Sequence, residues 1–67
     1  MSNWQRLTPG DEDSRDVVIA RYRDSFWHIV VGFQDQGELR RYPHGRDVLL
    51  DAKEMARLLE LVRESAE

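Results

Sequence analysis

RYRDSFWHIVVGF, residues 21–33, is the densest apolar run in the chain and sets its architecture. Successive side chains of a strand point to opposite faces of a sheet. Trp27, Ile29, Val31 and Phe33 therefore share one face, and Phe26, His28 and Val30 share the other. Both sets are rich in apolar side chains, so both faces call for cover. A chain of 67 residues has little material for two layers.

The flanking segments place this strand in a sheet. DVVIARY, residues 16–22, is rich in β-branched and aromatic residues and is a predicted strand. Arg23, Asp24 and Ser25 supply turn chemistry between the two. QDQGE signals a second hairpin, with Gly37 able to take the left-handed conformation. ELRRY is the next strand, stopped by Pro43, which has no N–H to give to a ladder. DVLL, residues 47–50, is a candidate short fourth strand. Residues 1–15 form an expected flexible arm, because TPGDEDS mixes Pro, Gly and acidic residues without period. Trp4 and Leu7 are the apolar exceptions in that arm.

Helix signals start at Asp51, an N-cap residue with Glu54 three positions on, the pattern of a capping box. Met55, Leu58, Leu59 and Val62 follow the i, i+3, i+4, i+7 spacing of one helical face. Leu61 lies off that stripe. The expectation is an α+β domain over residues 16–67: an antiparallel sheet of three or four strands, then one C-terminal amphipathic helix packed on one face. The Trp27, Ile29, Val31, Phe33 side is the expected floor for the helix.

The opposite side then carries Phe26, His28 and Val30. One parity of the first strand joins it, either Val17, Ile19, Arg21 and Arg23 or Val18, Ala20 and Tyr22, because a one-residue slip reverses the face. Phe26, His28, Val30, Ile19 and Tyr22 are accordingly the candidates for a partner or dimer face. Its cover is a second copy of the chain, the N-terminal arm through Trp4, or a foreign partner.

Composition narrows the function classes. The chain has no Cys, which removes disulfides, thiolate zinc sites and a Cys nucleophile. No apolar run approaches the roughly 20 residues of a membrane span. The N-terminus lacks the apolar core of a signal peptide, so a cytoplasmic location is expected. Net charge is −3, unlike the basic footprint of most nucleic-acid binders. The charge is uneven, however. Residues 21–46 hold Arg21, Arg23, Arg40, Arg41 and Arg46 against Asp24, Asp35 and Glu38.

Catalytic chemistry finds no foothold. His28 and His44 stand 16 residues apart without Cys or a carboxylate cluster, which is no metal signature. DEDSRD lacks the central Gly and closing Glu of a calcium loop. Ser14, Ser25 and Ser65 have no neighbouring base to activate them. The four glycines are isolated, so no phosphate loop is present. The expectation is a non-enzymatic protein with no cofactor and no metal.

Aromatic side chains interleave with the Arg set, and aromatics plus Arg on a sheet can stack bases and grip phosphates. In addition, GRDVLLDAKEMARLL leads from a Gly-led segment straight into a capped helix. With four strands ahead of it, this order resembles the single-stranded-DNA-binding transcriptional coactivators of the positive-cofactor fold. That resemblance implies a dimer with a curved, basic and aromatic sheet. It would make Arg21, Arg23, Arg40 and Arg41 phosphate contacts, with Trp27 or Tyr42 as a base platform.

Two readings follow. In the first, the chain is a small regulatory module that acts through its sheet face on a protein partner and self-associates, in the manner of a phage-type inhibitor or adaptor. The second is a single-stranded nucleic-acid-binding coactivator. The acidic net charge favours the first.

Overall fold

The computed structural model describes residues 3–10, 13 and 16–65. Four strands, β1 (Gln5–Arg6), β2 (Asp16–Arg23), β3 (Phe26–Asp35) and β4 (Glu38–Arg41), precede one helix, α1 (Ala52–Ser65). They form a single antiparallel sheet in chain order, β1-β2-β3-β4. Most of DEDSRD lies outside the described residues.

Two tight turns set the register. Asp24 and Ser25 have φ of 56° and 69°, and Arg23 faces Phe26 across the turn. Gln36 and Gly37 have φ of 51° and 79°, with Asp35 facing Glu38. Paired left-handed residues match the right-handed strand twist, as two-residue hairpins require. Val18, Ala20 and Tyr22 thus stand opposite Val31, Ile29 and Trp27 on one face. Val17, Ile19, Arg21 and Arg23 stand opposite Gly32, Val30, His28 and Phe26 on the other. The parity left open by the sequence is settled this way.

The N-terminal arm contains an unexpected strand. Gln5 and Arg6 pair with Ala20 and Ile19, and the Leu7 N–H donates to the Val18 carbonyl at 2.8 Å. Leu7 is buried. The fourth strand is therefore β1 and not DVLL. Residues 47–50 form no strand; Val48 and Leu50 turn into the core ahead of the helix.

Helix α1 covers the expected face. Leu7, Val18, Ala20 and Leu61 form the buried cluster, with Trp27, Ile29 and Leu58 packed against it. Its rotation differs from expectation. Leu61 is 5% exposed, whereas Met55 and Leu59 are 53% and 55% exposed and Val62 is also exposed. The cause is Glu54, which is buried at the helix start. The capping box forms in full: the Asp51 N–H donates to Glu54 Oε1 at 3.0 Å, and the Glu54 N–H donates to Asp51 Oδ1 at 2.8 Å. Thr8 donates its hydroxyl to the same carboxylate and accepts the Val18 N–H at 2.8 Å. A buried carboxylate needs such partners. Fixing Glu54 against Thr8 turns Leu58 and Leu61 inward and leaves Met55, Leu59 and Val62 outside.

Around Val17 and Ile19 the second face is covered by the chain itself, while Phe26 and His28 near the β2–β3 turn stay exposed. Val17 and Ile19, on the face away from the helix, are fully buried. Arg6, opposite Ile19, donates across the face to Gln34 of β3. Trp4 lies against the Arg21 guanidinium, 4.3 Å from its ring centroid. Of the three covers considered, the N-terminal segment through Trp4 is present. The sheet is curled. A Cβ built on Gly32 would stand 2.3 Å from the Arg40 carbonyl oxygen and 2.8 Å from Ile19 Cδ1. Glycine at this position lets β4 close over the face.

Candidate binding cleft

Curling brings the two edges of the sheet toward one another. Between the segment entering β1 and the strand β4 lies an open cleft of about 580 Å³. Trp4, Arg21, Leu39, Arg40 and Arg41 line it, with Asn3, Phe33, Glu38 and Pro43. Each position follows from local structure. Trp4 and Arg6 are two apart, so a short strand sends both to the second face. Arg21 belongs to the same face through β2. Arg41 stands opposite Gly32, on the bare part of β3.

The electrostatics are uneven. Arg21 and Arg41 share the second face, whereas Arg40 and Glu38, opposite Phe33 and Asp35, border the cleft from the β4 edge. Arg40 is held by Glu38 at 3.0 Å. Arg21 is stacked on Trp4, and its Nε is buried without an acceptor. Stacking spreads the guanidinium against the ring and supplies a cation–π contact. The cleft therefore joins a flat aromatic surface to positive charge within a chain of net charge −3.

The sequence-predicted residues divide between several places. Of the partner-face set, Ile19 is 0% exposed and is closed off by the chain's own side chains. Tyr22 lies on the helix side, with its ring 5.6 Å from that of Trp27. Phe26, 68% exposed, and the exposed His28 lie on the second face toward the β2–β3 turn. Val30 is half-buried. These five residues do not share one surface, because Tyr22 and Phe26 have opposite parity.

The nucleic-acid set divides too. Arg21, Arg40 and Arg41 line the cleft. Arg23 sits at the hairpin end beside Asp24, at 3.6 Å. Trp27 packs on the core at the helix side. Tyr42 packs on Phe33, with ring centroids 5.1 Å apart. It also donates to Asp16, and Arg46 bonds the same carboxylate at 3.0 Å. That hydrogen bond to Asp16 holds the Tyr42 phenol above the ordinary tyrosine range. Neither predicted platform faces the cleft arginines. Trp4 takes that place, a role the sequence signalled only by its spacing from Arg6.

Both histidines are exposed. Among the described residues no three His, Asp or Glu side chains converge on a point that would hold a metal ion. No described helix is long and apolar enough to cross a membrane.

The molecule is thus a four-stranded antiparallel meander with one C-terminal helix and a basic, Trp-floored cleft on the far side. No family model matches this chain, and no curated protein or solved structure shows significant similarity to it. Nothing in these comparisons bears on the coactivator resemblance.

Proposed function

We propose that the chain is a non-enzymatic binding module that holds an acidic segment of a protein partner in the cleft lined by Trp4, Arg21, Arg40 and Arg41. The observation that carries this reading is the placing of Trp4, Arg21 and Arg41 on one face along an open cleft that Arg40 also borders. Trp and Arg are the residue types that dominate binding energy at protein interfaces. Arg presents a planar fork suited to carboxylates. The cleft lies on the sheet face away from the helix, so the module works through its sheet, as an adaptor or inhibitor would. The net charge of −3 lends no general attraction for a polyanion, which favours a short acidic segment over a nucleic-acid strand.

A second reading has one specific support. Arg21, Arg40 and Arg41, three of the four phosphate contacts implied by the coactivator resemblance, line one cleft, and Trp4 could stack a base.

Fluorescence anisotropy with two labelled probes separates the readings: an oligoglutamate peptide, and a single-stranded oligonucleotide. At low salt the peptide should bind, and Arg21→Ala with Arg41→Ala should weaken it by about tenfold, as loss of charged contacts does. Tighter oligonucleotide binding with a steep salt dependence, lost in the same variant, would replace the protein partner with a nucleic acid. Binding of neither probe would overturn both readings.

A further inference from the structure

The helix side of the sheet has a hollow of its own, where the β2–β3 end of the sheet meets the last turn of α1. Tyr22 and Trp27 stand opposite one another on β2 and β3, with ring centroids 5.6 Å apart and planes inclined by 56°. Gln5 faces Ala20, so its side chain takes the helix side as well, and Asn3 joins it at the rim. The last turn of α1 brings Leu61, Glu64 and Ser65 to the same corner. The hollow measures about 360 Å³, the lower end of small-ligand sites. It opens on the opposite face from the cleft of Trp4 and Arg21, and Asn3 alone borders both.

The charge here has one sign. Among the described residues Glu64 is the ionised group of the lining, and no Arg, Lys or His joins it. Arg63, the basic residue of the last turn, is turned about 200° round the helix from Leu61. The last carbonyls of a helix lack partners within it and carry partial negative charge, which adds to the carboxylate. Among the described residues no hydrogen bond or ion pair engages the side chains of Asn3, Gln5, Glu64 or Ser65. The rings of Tyr22 and Trp27 border the same space, and aromatic faces attract cations. Glu64 and Tyr22 are both exposed, so a guest can reach them. Carboxylate, amide carbonyls, helix C-terminus and aromatic rings all favour a cation with several N–H donors.

We propose that this hollow holds the guanidinium of an arginine side chain from a second protein, stacked against the Tyr22–Trp27 pair and bonded to Glu64. A guanidinium is planar, so it lies on an aromatic face while its five N–H groups point outward in that plane. Glu64, Asn3 and Gln5 supply acceptors around the rings. An ammonium is more strongly hydrated and has no plane to stack. Arginine also lays its methylene stem along apolar surface. The adjoining hollow of Tyr22, Trp27 and Val62 provides that surface, which selects a side chain over a bare guanidinium ion. The site stands whatever the cleft on the other face holds.

Nitrogen–proton correlation NMR on the full chain is the test, following the two indole N–H signals as an end-blocked glycine–arginine–glycine peptide is added. Trp27 belongs to the site, whereas Trp4 lies against Arg21 and serves as the internal reference. The Trp27 signal should shift saturably while the Trp4 signal stays. The same peptide with neutral citrulline in place of arginine should move neither. Glu64→Gln and Tyr22→Leu should each weaken binding by about fivefold, as loss of one exposed ion pair or one cation–π contact does. Neither residue belongs to the buried cluster, so both variants should keep the wild-type circular dichroism. A citrulline peptide bound as tightly as the arginine peptide would overturn the proposal, because the hollow would not be reading charge. So would an unmoved Trp27 signal, or an affinity unchanged in Glu64→Gln. Guanidinium ion bound as tightly as the peptide would overturn the assignment to a side chain.

Discussion

Gly32 carries more of the architecture than its size suggests. It is the one residue of β3 where the second face must be bare, because the Arg40 carbonyl and Ile19 occupy the space of a side chain. The clash is with backbone, which cannot swing aside. Gly32→Ala should therefore destabilise the chain by about 3 kcal/mol, the upper end of ordinary overpacking. A urea midpoint equal to wild type would show that β4 does not close over this position. Tyr42 gives a second test at the same scale. Its phenol proton is held chiefly by the hydrogen bond to Asp16, which raises its pKa above 10.0. A raised pKa means that the protonated form is the one folding favours. The contact is fully present below the ordinary tyrosine value and is lost as pH rises through the raised one. Absorbance titration should show an ionisation above 10.0 that Tyr42→Phe removes and Asp16→Asn moves down. An upper step untouched by Asp16→Asn would contradict this cause.

Among the elements, the three longer strands, both turns and the helix cap were legible in the sequence. Alternation with β-branched residues marks β2 and β3, and Asp51 with Glu54 marks the start of α1. Two elements escaped for physical reasons. Strand β1 is two residues long, too short to show a period, and it exists because β2 offers a free edge. The face of α1 was misread because Met55, Leu58, Leu59, Leu61 and Val62 spread apolar character over more than one stripe. Periodicity alone cannot choose among them. The choice falls to Glu54, whose burial against Thr8 is a tertiary event. The consequence is measurable by denaturation in dilute solution. Leu61→Ala should lose about 3 kcal/mol, a buried leucine's worth. Leu59→Ala should stay within about 0.5 kcal/mol, as an exposed change does. The reverse order would restore the stripe read from the sequence.

At the scale of the whole molecule, the chain meets the shortage of material in a small domain by using β2 twice. The helix packs on Val18 and Ala20, while the curled sheet and the N-terminal segment close over Val17 and Ile19. Ile19 and Ala20 are adjacent and both 0% exposed, which only a strand covered on each side allows. The cleft is a product of this closure, since Trp4 reaches Arg21 only because β1 is paired. Its arginines stand in the sequence within a larger set, of which Arg23 and Arg46 lie elsewhere. Trp27 and Tyr42 were grouped with them because nearness in sequence does not encode which face a side chain takes. The central claim is therefore that residues 4–8 are a fixed part of the sheet. Amide hydrogen exchange by NMR tests it directly. The Leu7 and Val18 amides, bonded to the Val18 carbonyl and to Thr8 Oγ1, should be protected as strongly as the centre of β2. Exchange of the Leu7 amide at the rate of an unstructured peptide would contradict the account, and with it the cleft that Trp4 helps to form.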